Sequence, residues 1–187
     1  MALTHELKMF ELRDAKISKL LLDDSTALTY GPSKDIPGMT KLGIAPKAES
    51  KELNGDSMRI DHYSRITSVE VTIEASLFNL DAMPILMGGT VTETGASPNQ
   101  KVTYAFDQNS ATLPYFKIEG QWTYVNEGIG DAHVTVYKCK VTEPPSFEIN
   151  DASGNFGTLK AKAIGLYARH NGEWWDIEEN ETAIPIA

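Results

Sequence analysis

Residues 50–89 read SKELNGDSMRIDHYSRITSVEVTIEASLFNLDAMPILMGG and hold three unlike elements in succession. The polar stretch over residues 50–64 carries both charge signs around the turn sequence Asn54-Gly55-Asp56, and it reads as a long loop. Next, Val69, Val71, Ile73, Ala75 and Leu77 alternate with Glu70, Thr72, Glu74 and Ser76. That period of two, with β-branched residues in one phase, is the clearest strand signal in the chain. A short apolar helix over residues 80–87 follows and stops at Gly88-Gly89, where Gly88 suits the left-handed residue just past a helix end. Either Asn79 or Asp81 can cap its start. Asp81 is the expected cap, because Pro84 then falls in the first turn, where it does little harm.

Working outward, residues 9–22 read as a strand closed by the turn Asp23-Asp24-Ser25. Residues 30–38 hold Gly31, Pro32, Pro37 and Gly38 and read as extended loop. A second strand is expected over residues 40–48, with Leu42, Ile44 and Ala48 in one phase. Pro46 in that phase lacks a ladder donor and implies an edge, a bulge or a bend. Beyond Gly89 nearly everything is β, with strands expected over residues 91–93, 102–106, 115–124, 132–141, 159–168 and 174–177. In the fourth of these, Val134 and Val136 share one face and Tyr137, Cys139 and Val141 the other. Asn171-Gly172 between two apolar runs predicts a two-residue hairpin. No repeat or low-complexity linker interrupts residues 1–187, so one domain is expected. Its class is mainly β: two packed antiparallel sheets, a sandwich or barrel, with one short flanking helix and a long loop between the second and third strands.

Composition narrows the function. The 187 residues are 41% hydrophobic and 23% charged, as in a folded protein, with a net charge of −9. Gripping nucleic acid needs clustered Lys and Arg, so an acidic chain is a poor candidate for it. With Cys139 as the only cysteine there is no internal disulfide and no cysteine-based zinc site. The first residues lack a signal-peptide core, and no apolar run is long enough to anchor a membrane. A chain made and folded in a cytoplasm is expected, where the acceptor sequence Asn180-Glu181-Thr182 goes unglycosylated.

The sequence holds no pattern that carries chemistry. His5, His62, His133 and His170 have unrelated spacings and imply no metal site. Cys139 sits in an alternating strand and reads as a small buried hydrophobe. Asp151, Ser153 and Asn155 resemble a calcium loop but lack its sixth-position glycine, so a turn is preferred. Gly128 and Gly130 open no helix and cradle no phosphate. The pairs Asp23-Asp24 and Glu178-Glu179 read as solvated, and no serine sits in a nucleophile elbow. Neither an enzyme nor a cofactor is expected. Tyr115, Phe116, Trp122, Tyr124 and Trp174-Trp175 could form a stacking platform, but core and interface roles suit them better.

The order of these motifs is similar to that of a known family. The segments Leu28-Thr29-Tyr30-Gly31-Pro32, Asp35-Ile36-Pro37-Gly38-Met39, Ser50-Lys51-Glu52-Leu53-Asn54-Gly55-Asp56 and Ser68-Val69-Glu70-Val71-Thr72-Ile73-Glu74, then the run to Gly88-Gly89, resemble the major tail tube proteins of long-tailed bacteriophages. The closing GLYARHNGEWWDI resembles the end of that family too. The resemblance implies a structural protein of the virion tail, assembled in the host bacterial cytoplasm. Six copies would form a ring whose sheets join into one barrel, and the rings would stack around the tape measure protein and meet tail-end proteins. DNA would later pass through without specific binding.

Carried onto this chain, the resemblance makes the loop over residues 50–64 the ring-stacking element, with Lys51, Glu52, Asn54, Asp56, Arg59 and Asp61 as its contacts. The helix would cover the sheet's outer side. Because Val69, Val71 and Ile73 need a core, Glu70, Thr72, Glu74 and Ser76 face away from it. In a tube that face would be the lumen, where carboxylates repel phosphates; Lys41, Lys47 and Lys117 weaken the local effect. On any lone antiparallel sheet the same four residues would simply face solvent. The alternatives are the tube of a contractile tail or injection system, or a β-sandwich module binding carbohydrate or a receptor.

Overall fold

The computed structural model of the chain describes residues 11–55, 58–77, 79–110, 112–123, 130–147 and 157–186. In chain order its elements are β1 (Glu11–Asp23), β2 (Leu28–Asp35), β3 (Met39–Gly55), β4 (Met58–Ala75), α1 (Met83–Leu86), β5 (Thr90–Thr94), β6 (Lys101–Ala105), β7 (Tyr115–Thr123), β8 (Asp131–Phe147), β9 (Leu159–Leu166) and β10 (Trp175–Asn180). The alternation that follows Ser68 does what a period of two requires. β4 turns Val69, Val71, Ile73 and Ala75 into the core and leaves Glu70, Thr72 and Glu74 partly exposed on the other face.

Eight strands make one antiparallel sheet in the order β2-β1-β7-β8-β9-β4-β3, with β10 joined to β8; β5 and β6 form a small second sheet. The large sheet doubles back on itself. Val69, Val71 and Ile73 of β4 share one buried cluster with Ile17 of β1, Phe116 and Ile118 of β7, and Val136 of β8. Its halves therefore face one another as the layers of a β-sandwich, the mainly β class expected. The flanking helix α1 adds Ala82, Ile85 and Leu86 to the same cluster.

Several local expectations are corrected. Residues 50–55 and 58–64 are strand where a loop was expected: β3 and β4 stay paired from Met39↔Ala75 out to Gly55↔Met58. Most of residues 30–38 is strand β2, whose Gly31 and Pro32 fall in a bulge between the pairs Ser18↔Ser33 and Leu20↔Tyr30. Pro32 fits there because β2 is an edge, and Pro46 sits on β3, the opposite edge, as expected. The α1 segment is shorter than residues 80–87, and its N-cap is Ala82, without a side-chain cap. Asn79 instead holds the turn ahead of the helix. Its Oδ1 accepts from the Asp81 amide at 2.9 Å, and its Nδ2 donates to the Asp35 carbonyl at 2.7 Å. Pro84 does lie in the first turn, and Gly88 is left-handed at φ 79°.

Strand β8 also departs from simple alternation. Between Phe116↔Cys139 and Ile118↔Val136 it carries an extra residue, so its phase switches and Val136 and Cys139 both point into the core. Asn171-Gly172 does not make a hairpin. β9 pairs with β8 as far as Leu166↔Lys138, and β10 takes over the same flank from Trp175↔Val136, running in the same direction. Gly172 supplies a left-handed residue, φ 73°, to the loop that leaves β8's flank after β9 and rejoins it at β10.

Candidate functional site

β9 pairs with β4 only between Val69 and Ala75, whereas the pairing of β3 with β4 continues to the tip at Gly55↔Met58. Residues 48–55 and 58–66 therefore form a two-stranded arm beyond the body of the sheet, about 25 Å long at roughly 3.3 Å per residue. Each arm residue whose burial is described is exposed. Cross-strand pairs hold it together. The Arg59 guanidinium lies 2.6 Å from the Glu52 carboxylate, and His62 Nδ1 lies 3.8 Å from the same oxygen. Apolar side chains accompany these charges: Leu53, Met58, Ile60, Tyr63 and Ile66 are all exposed.

Of the residues assigned to ring stacking, Lys51, Glu52, Asn54, Arg59 and Asp61 lie on this arm. Asp56 lies outside the described residues. Lys51 stands opposite Tyr63, and Leu53 opposite Asp61. β3 continues its phase past Lys47, so Glu49, Lys51 and Leu53 extend the face that carries Lys41 and Lys47 on the body.

Glu70, Thr72 and Glu74 come together on the face away from the core, but Ser76 does not join them. It follows the end of β4, and its amide and hydroxyl both donate to the Gly38 carbonyl, at 2.8 and 2.9 Å. The face is not an acidic stripe. Lys47 Nζ lies 3.0 Å from Glu70, Lys41 Nζ 3.4 Å from Glu74, and Lys162 Nζ 2.8 Å from Glu143. Lys162 and Lys160 on β9 stand opposite Thr72 and Glu74. The Lys47 hydrogen bond and charge, then the charge of Lys162, hold the Glu70 carboxyl below its ordinary range. Lys41, Lys47, Lys160 and Lys162 thus stand four against three with Glu70, Glu74 and Glu143.

A second polar cluster was not legible in the sequence. Asp131 is fully buried, and its Oδ2 accepts from Gln121 Nε2 and, at 3.0 Å, from the Ile184 amide. His133 Nε2 lies 3.1 Å away. Burial pushes the Asp131 carboxyl up, but the hydrogen bonds of Gln121, Ile184 and His133 outweigh it and leave it below the ordinary value. Gln121 Nε2 also donates to the Ile184 carbonyl at 3.0 Å, and Lys16 Nζ to the Ile186 carbonyl at 2.7 Å. The cluster straps the last described residues to β1, β7 and β8. Apart from His133, two residues from Asp131, its partners lie 10 to 170 residues apart in the chain, so no local motif signals it.

The remaining candidates scatter. Cys139 is buried, and desolvation pushes its thiol up. The aromatics form no single platform: Phe116 and Trp122 are buried, and Tyr115 is flanked by the ammonium groups of Lys138 and Lys140 at 5.2 and 5.0 Å. Tyr124, His5, Gly128 and residues 150–156 lie outside the described residues. Among the described residues no group of three or more His, Cys, Asp or Glu is placed to hold a metal, and no helix is long and apolar enough to cross a membrane. No protein-family model matches the chain, and no curated protein matches it.

Proposed function

We propose that this chain is a structural protein that assembles through its hairpin arm into stacked six-fold rings, the tube of a phage tail. The observation that carries the reading is the arm itself. A two-stranded ribbon without a third strand or a helix is marginal in water. This one holds Leu53, Met58, Ile60, Tyr63 and Ile66 in solvent. Burying such side chains at a contact would contribute roughly 1.5–3 kcal/mol for each one fully covered. The Glu52–Arg59 pair and Asp61 would fix the register of that contact. A lone domain has no use for such an element; a stacked one does.

The edges support the same reading. β2 and β3 end the large sheet and leave backbone donors and acceptors open to a neighbouring copy, which could join its own sheet there. In such a tube the face of Glu70, Thr72 and Glu74 would line the channel, with the tape measure protein inside during assembly and tail-end proteins closing the stack. DNA would pass over a wall of mixed charge, kept moving by the net charge of −9 on each subunit rather than by a local acidic stripe. Negative-stain microscopy of the concentrated protein tests the proposal. Hollow tubes or six-fold rings are the expected result, and a protein that stays monomeric at every concentration rules it out.

A further inference from the structure

We propose that the pocket at the root of the arm, between β4, β8 and the loop after β9, binds a phosphate monoester carried on a flat ring, as in a nucleoside monophosphate. The site is independent of the assembly proposed above. The pocket has a volume of about 350 Å³, at the small end of the roughly 300–1,000 Å³ usual for ligand sites. Its walls include Arg65 and Ile66 of β4, Lys138 of β8, and Tyr167, Arg169 and Trp174 from the stretch that follows β9. The Tyr167 and Trp174 rings lie 6.0 Å apart, tilted by 50°. Tyr167 is 53% exposed and Trp174 is half-buried, so both keep ring surface for a ligand.

Charge is what marks the pocket. Acidic residues outnumber basic ones by 26 to 17 in this chain, yet three cations from three elements converge here. Lys140 adds a fourth on the same face of β8, where Lys138 pairs with Leu166 and Lys140 with Ile164. Two carboxylates stand nearby. Asp23 is already engaged, accepting from Lys138 Nζ at 2.6 Å and from the Arg169 amide at 2.7 Å. Glu49 stands opposite Arg65 on β3 but forms no ion pair with it. Among the described residues, neither the Arg65 nor the Arg169 guanidinium has a carboxylate partner.

Two unpaired guanidinium forks select among anions. A carboxylate brings two oxygens and one charge, which a single fork satisfies. A phosphate monoester brings three terminal oxygens and nearly two charges at neutral pH, which suits both forks. Tyr167 and Trp174, with Ile66 and Leu166 beside them, then take the attached ring. Duplex DNA offers neither feature, because its bases are stacked away and its phosphates are diesters.

Calorimetric titration with adenosine monophosphate tests this. Saturable binding is expected, at least about tenfold tighter than that of adenosine or of inorganic phosphate. Arg65→Gln and Arg169→Gln should each weaken it about tenfold. Both side chains are exposed, so the variants should keep the unaltered unfolding midpoint. Tyr167→Ser should weaken the nucleotide about fivefold and leave inorganic phosphate unaffected. No saturable binding up to about 10 mM overturns the proposal. So does binding that survives both arginine substitutions together, or inorganic phosphate that binds as tightly as the nucleotide. A 5′-phosphorylated oligodeoxythymidine separates two sources of the same chemistry. Tighter binding than adenosine monophosphate supports the site with a strand end as its ligand, and weaker or equal binding supports it with a free nucleotide.

Discussion

Leu42 on β3 stands over Gly120 on β7: a Cβ added at 120 would come within 2.5 Å of Leu42 Cδ2, with Leu12 and Val134 atoms at 3.4 Å. β3 ends the folded sheet and β7 is the third strand from its other end, and the missing side chain is what lets the two meet. Gly120→Ala forces only a Leu42 methyl to move and should cost about 1 kcal/mol. Gly120→Val also meets Leu12 and Val134 and should cost roughly 2–3 kcal/mol. Urea unfolding midpoints check both, and equal stability for all three chains would mean the layers are not this close.

Asp131 is the most heavily used buried acceptor described. Asp131→Ala strands Gln121 and the Ile184 amide and should cost roughly 2–4 kcal/mol in chemical denaturation. The sign of the pH dependence follows from the lowered carboxyl. Its stabilisation is complete above the unfolded value of about 4 and fades as pH falls through the lower folded value. Melting temperature should drop on acidification below about pH 4, and Asp131→Asn should flatten that drop. An unchanged slope in the variant would remove Asp131 as its source.

Cys139 should report unfolding. Burial pushes its thiol up, so the reactive thiolate is scarce as well as inaccessible. A thiol reagent should label the native chain only at the rate of opening, and labelling should accelerate with urea in step with the unfolding transition. Prompt labelling without denaturant would contradict this burial.

How much of this was legible depended on whether a residue's partners are close in sequence. Val69, Val71 and Ile73 announced their strand because one face is buried, and burial writes a period of two. The arm is strand without burial, so Lys51, Glu52 and Asn54 show no such period and read as loop. Pro32 hid β2 because an edge bulge tolerates the proline that an interior strand would not. Asn171-Gly172 did supply its left-handed residue, but which strand β10 joins was decided by β8, nearly forty positions upstream. Trp122 lies in a groove lined from β1, β3, β7, β8 and β10, and no local pattern could show that its indole lacks an acceptor among the described residues.

Reversing the carboxylates on the β4 face tests whether its balance matters. Glu70→Lys with Glu74→Lys leaves Lys41, Lys47, Lys160 and Lys162 opposed only by Glu143. The double variant should retain duplex DNA in a gel-shift assay at low salt and lose it steeply as salt rises, whereas the unaltered chain should not retain it. If neither chain binds at low salt, these pairs are not what keeps DNA from sticking.

Replacing residues 51–63 by Asn-Gly separates the arm from the fold. The pair Ser50↔Ser64 would then be closed by a two-residue turn of the type that suits a twisted ribbon. Every removed residue whose burial is described is exposed, and none contributes to the buried core. The unfolding midpoint should therefore shift by no more than about 0.5 kcal/mol. Assembly should disappear, because the apolar tip and the Glu52–Arg59 pair go with the arm. Sedimentation then sees only the single chain or isolated rings at concentrations where the full chain stacks. Tubes of normal length from the shortened chain would show that stacking uses another surface. A collapse in stability would show instead that the arm helps hold β3 against β4.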